Sequence, residues 1–393
     1  MHSIRRSCQS ALQSSRYVCL YTGSSRRAFS QSPAHYRGAL PNFLPPSSPE
    51  LSALLSTFNS KVLLPYHLTK EQQKLVYSQE SRPKIEAEPV EITLGDVTLP
   101  LEHLDRNRLP DRWQTFREVV QNSETKEDWE NVVRCLEGFV EAGIEVKTKW
   151  QEMVVRKLNE AGMYHLVLKM LQRPKASGVR LSNRGVVTEV LTGVHHRAAM
   201  ADWEQEETTK ALKMAKQIAE LMENDEHHAS QSAATANEKG DWRGHPVVVA
   251  LPTALAATVA EKYGGAKDYV KKMANRLVAA IKQTNYMTSL DVLSQQSTKT
   301  SADFKNVTKQ ISFATKFGHE LLELIIVWNA LKTSRKVLGS EMSMANEAQQ
   351  YESKVNQVLM QAVGNLDTLV TRNGTPLPLQ YVDLVKEAVE KCR

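Results

Sequence analysis

The stretch TKWQEMVVRKLNEAGMYHLVLKMLQ, residues 148–172, decides the architecture. It predicts two helices, Thr148–Ala161 and Met163–Gln172, broken at Ala161-Gly162, where a glycine can end one helix and let the chain reverse. The segment leading in, Glu141-Ala142-Gly143-Ile144-Glu145-Val146, recurs as Ala176-Ser177-Gly178-Val179-Arg180-Leu181, so Gly143 and Gly178 stand one step of 35 residues apart. A repeat of that length holds one helical hairpin, which buries its apolar face only by stacking on neighbours.

Working outward, helices are expected at Asp111–Gln121, Lys126–Ala142, Asn183–Ala199 and Glu204–Glu223, and then at Pro246–Tyr263, Lys267–Gln283, Ala302–Leu338, Ser343–Val363 and Leu379–Lys391. On the long helix, Phe304, Val307, Ile311, Ala314, Leu321, Ile325 and Trp328 share one stripe, which reads as a core face. Gly264-Gly265, between two of these helices, is expected to be a left-handed helix cap. The fold class is mainly α: helical-hairpin, α-solenoid-like repeats plus a C-terminal helical domain, with an extended N-terminal arm.

The segment around Gly143, Ala161-Gly162 and Gly178 resembles the pentatricopeptide repeat. Leu158-Asn159-Glu160-Ala161-Gly162 matches that family's turn between helices, and Ser177-Gly178-Val179 matches its exit. The resemblance covers about 70 to 90 residues, and it implies stacked helical hairpins with a concave surface. It departs from the family where RNA is read. The position of the base-selecting residue falls on Glu152, whose carboxylate phosphate would repel, and Pro174 replaces an apolar residue of the second helix. The resemblance therefore implies the architecture without a base-by-base code.

The N-terminus carries a different signal. The first 49 residues contain no Asp or Glu, while Arg5, Arg6, Arg16, Arg26, Arg27 and Arg37 are spread through Ser-rich sequence, which is the composition of a mitochondrial presequence. Arg27-Ala28-Phe29-Ser30 resembles a matrix-processing site, so residues 1–29 are expected to be removed. Residues 30–109 form the arm. Nine prolines from Pro33 to Pro100 exclude a long core helix, leaving a short helix from Pro49 to Leu63, capped by Ser48, and a hairpin turned on Gly95-Asp96. Such an arm is expected to lie on something else. Residues 110–224 form the hairpin repeats, 225–243 a linker without apolar period, and 244–393 the C-terminal helical domain.

Charge narrows the function. The chain has 50 Lys+Arg against 44 Asp+Glu, but the six arginines above precede any acid, leaving 44 against 44 from residue 39 onward. The overall basicity belongs to the targeting segment. One region departs from neutrality: residues 262–339 hold 13 Lys+Arg against five Asp+Glu. Lys267, Lys271, Lys272, Arg276, Lys305, Lys309, Lys316, Lys332, Arg335 and Lys336 are its RNA-contact candidates, through phosphate neutralisation.

Enzyme signatures are missing: the sequence has no Gly-rich phosphate loop, no His-Glu-x-x-His and no Gly-x-Ser-x-Gly. Cys8 and Cys19 lie in the presequence, and Cys135 and Cys392 are too far apart in sequence for a Cys-x-x-Cys zinc site. His195-His196 and His227-His228 are expected to be surface histidines, since adjacent residues point about 100° apart on a helix. No catalytic residue, cofactor or metal is expected. The longest apolar run, Leu321–Trp328, is far shorter than a membrane span. Together these features point to a non-enzymatic matrix protein of mitochondrial gene expression, a mitoribosomal structural protein or ribosome-associated factor. Its expected partners are mitochondrial ribosomal proteins and rRNA or mRNA. The alternative is a respiratory-complex assembly factor that holds a protein client.

Overall fold

The break at Ala161-Gly162 is a helix C-terminus closed by its own backbone. Gly162 takes φ +72°, which a side-chain-bearing residue adopts only at a cost. The Met163 N–H then reaches the Leu158 carbonyl at 2.7 Å. Gly143, with φ +70°, repeats the device, and the Ile144 N–H bonds the Phe139 carbonyl at 2.8 Å. Gly264 is also left-handed, at φ +75°, as the expected helix cap.

The computed structural model describes residues 38–88, 90–228, 241–372, 374–377 and 379–393. The expected presequence and its cleavage site lie outside the described residues, as does most of the expected linker. Residues Gly38–Arg393 form one compact unit. It is mainly helical, and its described strands make only two two-stranded hairpins.

The segment from residue 38 to 109 contains more helix than its prolines suggested. Helix α1 (Pro49–Thr57) continues through a π-helical turn, Phe58–Leu63, into α2 (Leu64–His67). Helices α3 (Lys70–Tyr77) and α4 (Arg82–Ala87) follow. Pro49 and Pro83 are tolerated because they stand in the first turn of α1 and α4, where a missing N–H breaks no helical bond, and Pro65 follows the π-helical turn. Ser48 caps α1 by accepting the Leu51 N–H at 3.1 Å. Strands β1 (Glu91–Leu94) and β2 (Val97–Pro100) pair antiparallel around Gly95-Asp96.

The surface beneath this segment belongs to the same chain. Phe58, fully buried, sits 5.0 Å from the Phe139 ring and 6.4 Å from Phe116. Those rings come from α5 (Arg112–Gln121) and α6 (Lys126–Glu141). Leu51, Leu63 and Leu68 are buried with it.

The hairpin α7 (Thr148–Glu160) and α8 (Tyr164–Gln172) is followed by a short α9 (Pro174–Ser177), then by α10 (Arg184–Met200) and α11 (Gln205–Leu221). The remaining helices are α12 (Pro246–Tyr263), α13 (Lys267–Gln283), α14 (Tyr286–Gln296), α15 (Val307–Leu338) and α16 (Ala345–Val370). A minimal hairpin of β3 (Thr371–Arg372) and β4 (Thr375–Pro376) leads to α17 (Gln380–Lys391). Helix α14 was not foreseen.

The stripe expected on the long helix requires correction. Val307 is 42% exposed and Phe304 precedes the helix, whereas residues 321–331 are buried on every side. Helices α10, α12, α13, α16 and α17 all pack around α15. Helix α12 is likewise apolar nearly all round, and its Ala250, Ala254 and Ala257 are fully buried. Small side chains let neighbouring backbones approach, and a helix enclosed on all sides loses its amphipathic period.

Candidate functional site

The ten basic candidates do not form one surface. Lys267, Lys272 and Arg276 are exposed along the first three turns of α13, with Lys271 half-buried among them. Lys305 and Lys309 are exposed beside the N-terminus of α15. Among the described residues none of these six has a carboxylate within ion-pair distance. Lys316 is exposed but lies 3.8 Å from Glu320. The three at the end of α15 are engaged internally: Lys332 donates to the Cys392 carbonyl at 2.9 Å, Arg335 pairs with Glu352, and Lys336 with Glu261. Since α15 has 32 residues, its two ends stand ~48 Å apart. The Lys336–Glu261 pair ties the far end to the last turn of α12, directly before α13, so Lys267 and Lys305 belong to separate patches.

A cleft of about 1960 Å³ opens between the hairpin helices and α14–α15. Its lining holds six Lys/Arg against five Glu, so it is nearly neutral and does not by itself favour a polyanion. Glu152 lines it, and Gly185 stands so close that an added Cβ would lie 1.7 Å from the Glu152 carboxylate. At its base α7, α10, α15 and α17 meet in a polar knot. The Glu189 carboxylate lies 3.3 Å from Arg156 and 3.7 Å from His319, and it accepts a bond from the Tyr381 hydroxyl at 3.4 Å. Burial pushes the Glu189 carboxyl up to about 7, against the opposing pull of Arg156. Burial likewise lowers His319, to about 4, with Arg156 adding to the shift.

The histidines expected on the surface divide. His195 is 3% exposed, and its Nε2 lies 3.1 Å from the Asn329 amide. Burial drives its pKa down to about 3, with His196 adding repulsion. His227 is 2% exposed. Its Nδ1 accepts the Leu181 N–H at 3.1 Å, so Nε2 carries the proton and donates to the Leu171 carbonyl at 2.8 Å. Both are core residues whose ring nitrogens satisfy buried polar groups, a role that adjacent-residue geometry could not reveal. Cys135 and Cys392 are both buried thiols whose pKa burial raises. Cys8 and Cys19, in the expected presequence, lie outside the described residues.

Residues 27–377 match the family described as mitochondrial ribosomal protein mS27. The chain belongs to that family. A curated relative, the small ribosomal subunit protein mS27 of Neurospora crassa, is 27% identical over 186 residues, which is 47% of this chain and 47% of that protein. The alignment thus spans about half the length of the relative.

Membership of the mS27 family gives the buried chemistry a structural meaning. Glu189, Arg156, Tyr381 and His319 join α7, α10, α15 and α17 through polar contacts, and His227 ties the start of the expected linker to α8. Among the described residues no helix is long and apolar enough to cross a membrane.

Proposed function

We propose that this protein is a non-enzymatic structural component of the small subunit of the mitochondrial ribosome, held in the matrix among other ribosomal proteins and rRNA. The observation that carries this reading is the family match over residues 27–377, supported by the name of the Neurospora relative. It favours the ribosomal role over the assembly-factor alternative. The acid-free, Arg-bearing first 49 residues supply the import signal.

Within this reading, residues 110–224 serve as a pentatricopeptide-like set of helical hairpins that docks neighbours by shape, and residues 244–393 as the helical body behind it. Lys267, Lys271, Lys272 and Arg276 on α13, with Lys305 and Lys309 by α15, contact phosphate. Their lack of carboxylate partners among the described residues supports the assignment, and the internal pairing of Lys332, Arg335 and Lys336 removes those three.

A sucrose gradient of gently lysed mitochondria tests the role. The protein should migrate with the small-subunit marker and move to the top after RNase. Sedimentation with a respiratory-complex intermediate, unchanged by RNase, would overturn the proposal and restore the assembly-factor reading. Changing the six cations to Glu should release the protein at lower salt than the wild type.

A further inference from the structure

A second cationic surface lies nearer the N-terminus, where the segment from residue 38 to 109 meets α5, with α7 packed beside α5 through Trp150. Its parts are scattered along the chain and converge through rings. The Arg106 guanidinium lies 4.4 Å above the Tyr77 ring. Burial pushes the Tyr77 hydroxyl up, while Arg106 lowers it and Tyr66 raises it, so the two phenols share one neighbourhood. Arg112 donates to the Tyr66 hydroxyl at 2.9 Å and lies 5.7 Å from the Trp113 ring. Trp113 in turn stacks on Trp150, with centroids 5.2 Å apart and planes 9° from parallel. Arg117 and Lys149 flank Trp150 at 5.4 Å and 5.3 Å. The result is a cluster in which Arg106, Arg112, Arg117 and Lys149 lie against the rings of Tyr77, Trp113 and Trp150, with Tyr66 held by Arg112.

Two features show that the cluster looks outward. Tyr66 is 50% exposed, so its ring remains accessible to a partner. Arg106, Arg117 and Lys149 are exposed as well. The carboxylates nearby are committed elsewhere: Asp105 lies 3.7 Å from Arg108, Asp111 caps α5 through the Gln114 N–H at 2.7 Å, and Glu118 accepts the Gln114 amide at 2.9 Å. Among the described residues no carboxylate comes within ion-pair distance of Arg106, Arg112, Arg117 or Lys149. A guanidinium stacked on a ring keeps its N–H edges free, and those edges match a phosphate.

We propose that the face built on Tyr66, Arg106, Arg112 and Arg117 binds a single-stranded segment of RNA, its phosphates on the arginines and an unstacked base on Tyr66. The proposal rests on the ribosomal reading above and adds a surface to it. Both chemistries are needed by such a ligand, since single strands bind through cationic grooves and base–aromatic stacking. An acidic protein partner would use the charges and leave the exposed phenol without a function. Duplex RNA, whose bases are already stacked, would do the same.

The full chain from residue 30 should be titrated with a short fluorescein-labelled oligouridine, in parallel with duplex RNA and polyglutamate of similar length. Preference for the oligouridine is expected. Arg106→Gln, Arg117→Gln and Lys149→Gln combined should weaken it and flatten the dependence of log affinity on log salt by about 2. Tyr66→Ala should cost about tenfold or more without changing that slope, and Tyr66→Phe should retain stacking. Arg112 is left intact, and a wild-type circular dichroism spectrum checks folding. Equal affinity for polyglutamate, or an oligouridine affinity indifferent to Tyr66→Ala and to the triple change, would overturn the surface. The gradient separates this from the function itself. A triple variant that binds oligouridine normally while still migrating with the small subunit sinks the surface alone, whereas wild-type protein remaining at the top sinks the ribosomal reading.

Discussion

Asn131 hydrogen-bonds both backbone groups of Leu44, accepting its N–H at 2.8 Å and donating to its carbonyl at 2.9 Å. A side-chain amide on α6 thereby imitates a β-strand partner for chain that has no regular structure of its own. Arg134 adds a bond to the Asn42 carbonyl, and the Asn59 amide one to Pro41 at 3.0 Å. The proline-rich segment is thus held by directional bonds as well as by Phe58.

Asn131→Ala should therefore destabilise the protein by about 2 kcal/mol, since it leaves two backbone groups of a covered segment without partners. The expected accompaniment is faster limited proteolysis near residue 44, with α10 to α17 still protected. Uniform acceleration across the whole chain would contradict the local role.

Asp128 predicts an acid transition in the same region. Burial acts to raise its pKa, but bonds from Ser47 and Thr125 outweigh that and hold the carboxyl down to about 2. Its folded pKa lies below the unfolded value, so the contribution is complete above about pH 4 and is lost as pH falls toward 2. Asp128→Asn should reduce stability by about 1 to 2 kcal/mol at neutral pH and remove that part of the acid dependence. Denaturant melts of the two proteins between pH 2 and 7 measure it.

Glu189 should show the opposite sign. Its carboxyl is raised to about 7 by burial, so the folded state holds its proton more tightly than the unfolded chain. Its contribution is fully present below the unfolded value near 4.5 and is lost as pH rises to about 7. Compared with Glu189→Gln, the wild type should lose roughly 2 to 3 kcal/mol between pH 5 and 8. Arg156→Ala should cost about 3 kcal/mol at pH 8, where the buried Glu189 loses one of the three side chains that face its carboxylate. A pH-independent difference between wild type and Glu189→Gln would refute the assignment.

Ala254 tests the packing around the long helix. It is fully buried on α12, the helix in closest association with α15. Ala254→Leu should cost about 1 to 3 kcal/mol by overpacking, visible as a lower midpoint with an unchanged denaturant slope. A neutral result would mean that α12 has slack on that face.

Much of the helical framework was legible because its signals are local. The expected ends of Pro246–Tyr263 and Lys267–Gln283 coincide with α12 and α13, where a first-turn proline and a glycine cap mark the first of them. The Ser48 cap, the Gly95-Asp96 hairpin and the left-handed Gly264 are of the same kind. Helix α14 escaped because its start, Asn285 at φ +50°, carries no side-chain cap, and its burial is limited to Leu290 and Leu293. The periodicity of α15 misled because its middle, residues 321–331, is enclosed by neighbouring helices, whereas its start, with Val307, is open to solvent.

The candidate surfaces were less legible. The α13 and α15 lysines stood out as a charge excess along the sequence, and folding divides that excess between an exposed set and internally paired residues such as Arg335. The aromatic–arginine cluster gave no such excess, because its cations are interspersed along the sequence with acids such as Asp105, Asp111 and Glu118, which bond to other groups.

By itself, then, the sequence determined the helical class, the turns with their left-handed glycines, and the acid-free composition of the first 49 residues, because each is written in residues close together along the chain. Only the tertiary structure decided that the proline-rich segment covers α5 and α6, that His195 and His227 are core residues, and which cations remain unpaired. Those outcomes depend on neighbours far apart in sequence, as with Phe58 against Phe139 or Lys332 against Cys392. Burial and pairing are properties of such neighbours, and no local pattern encodes them.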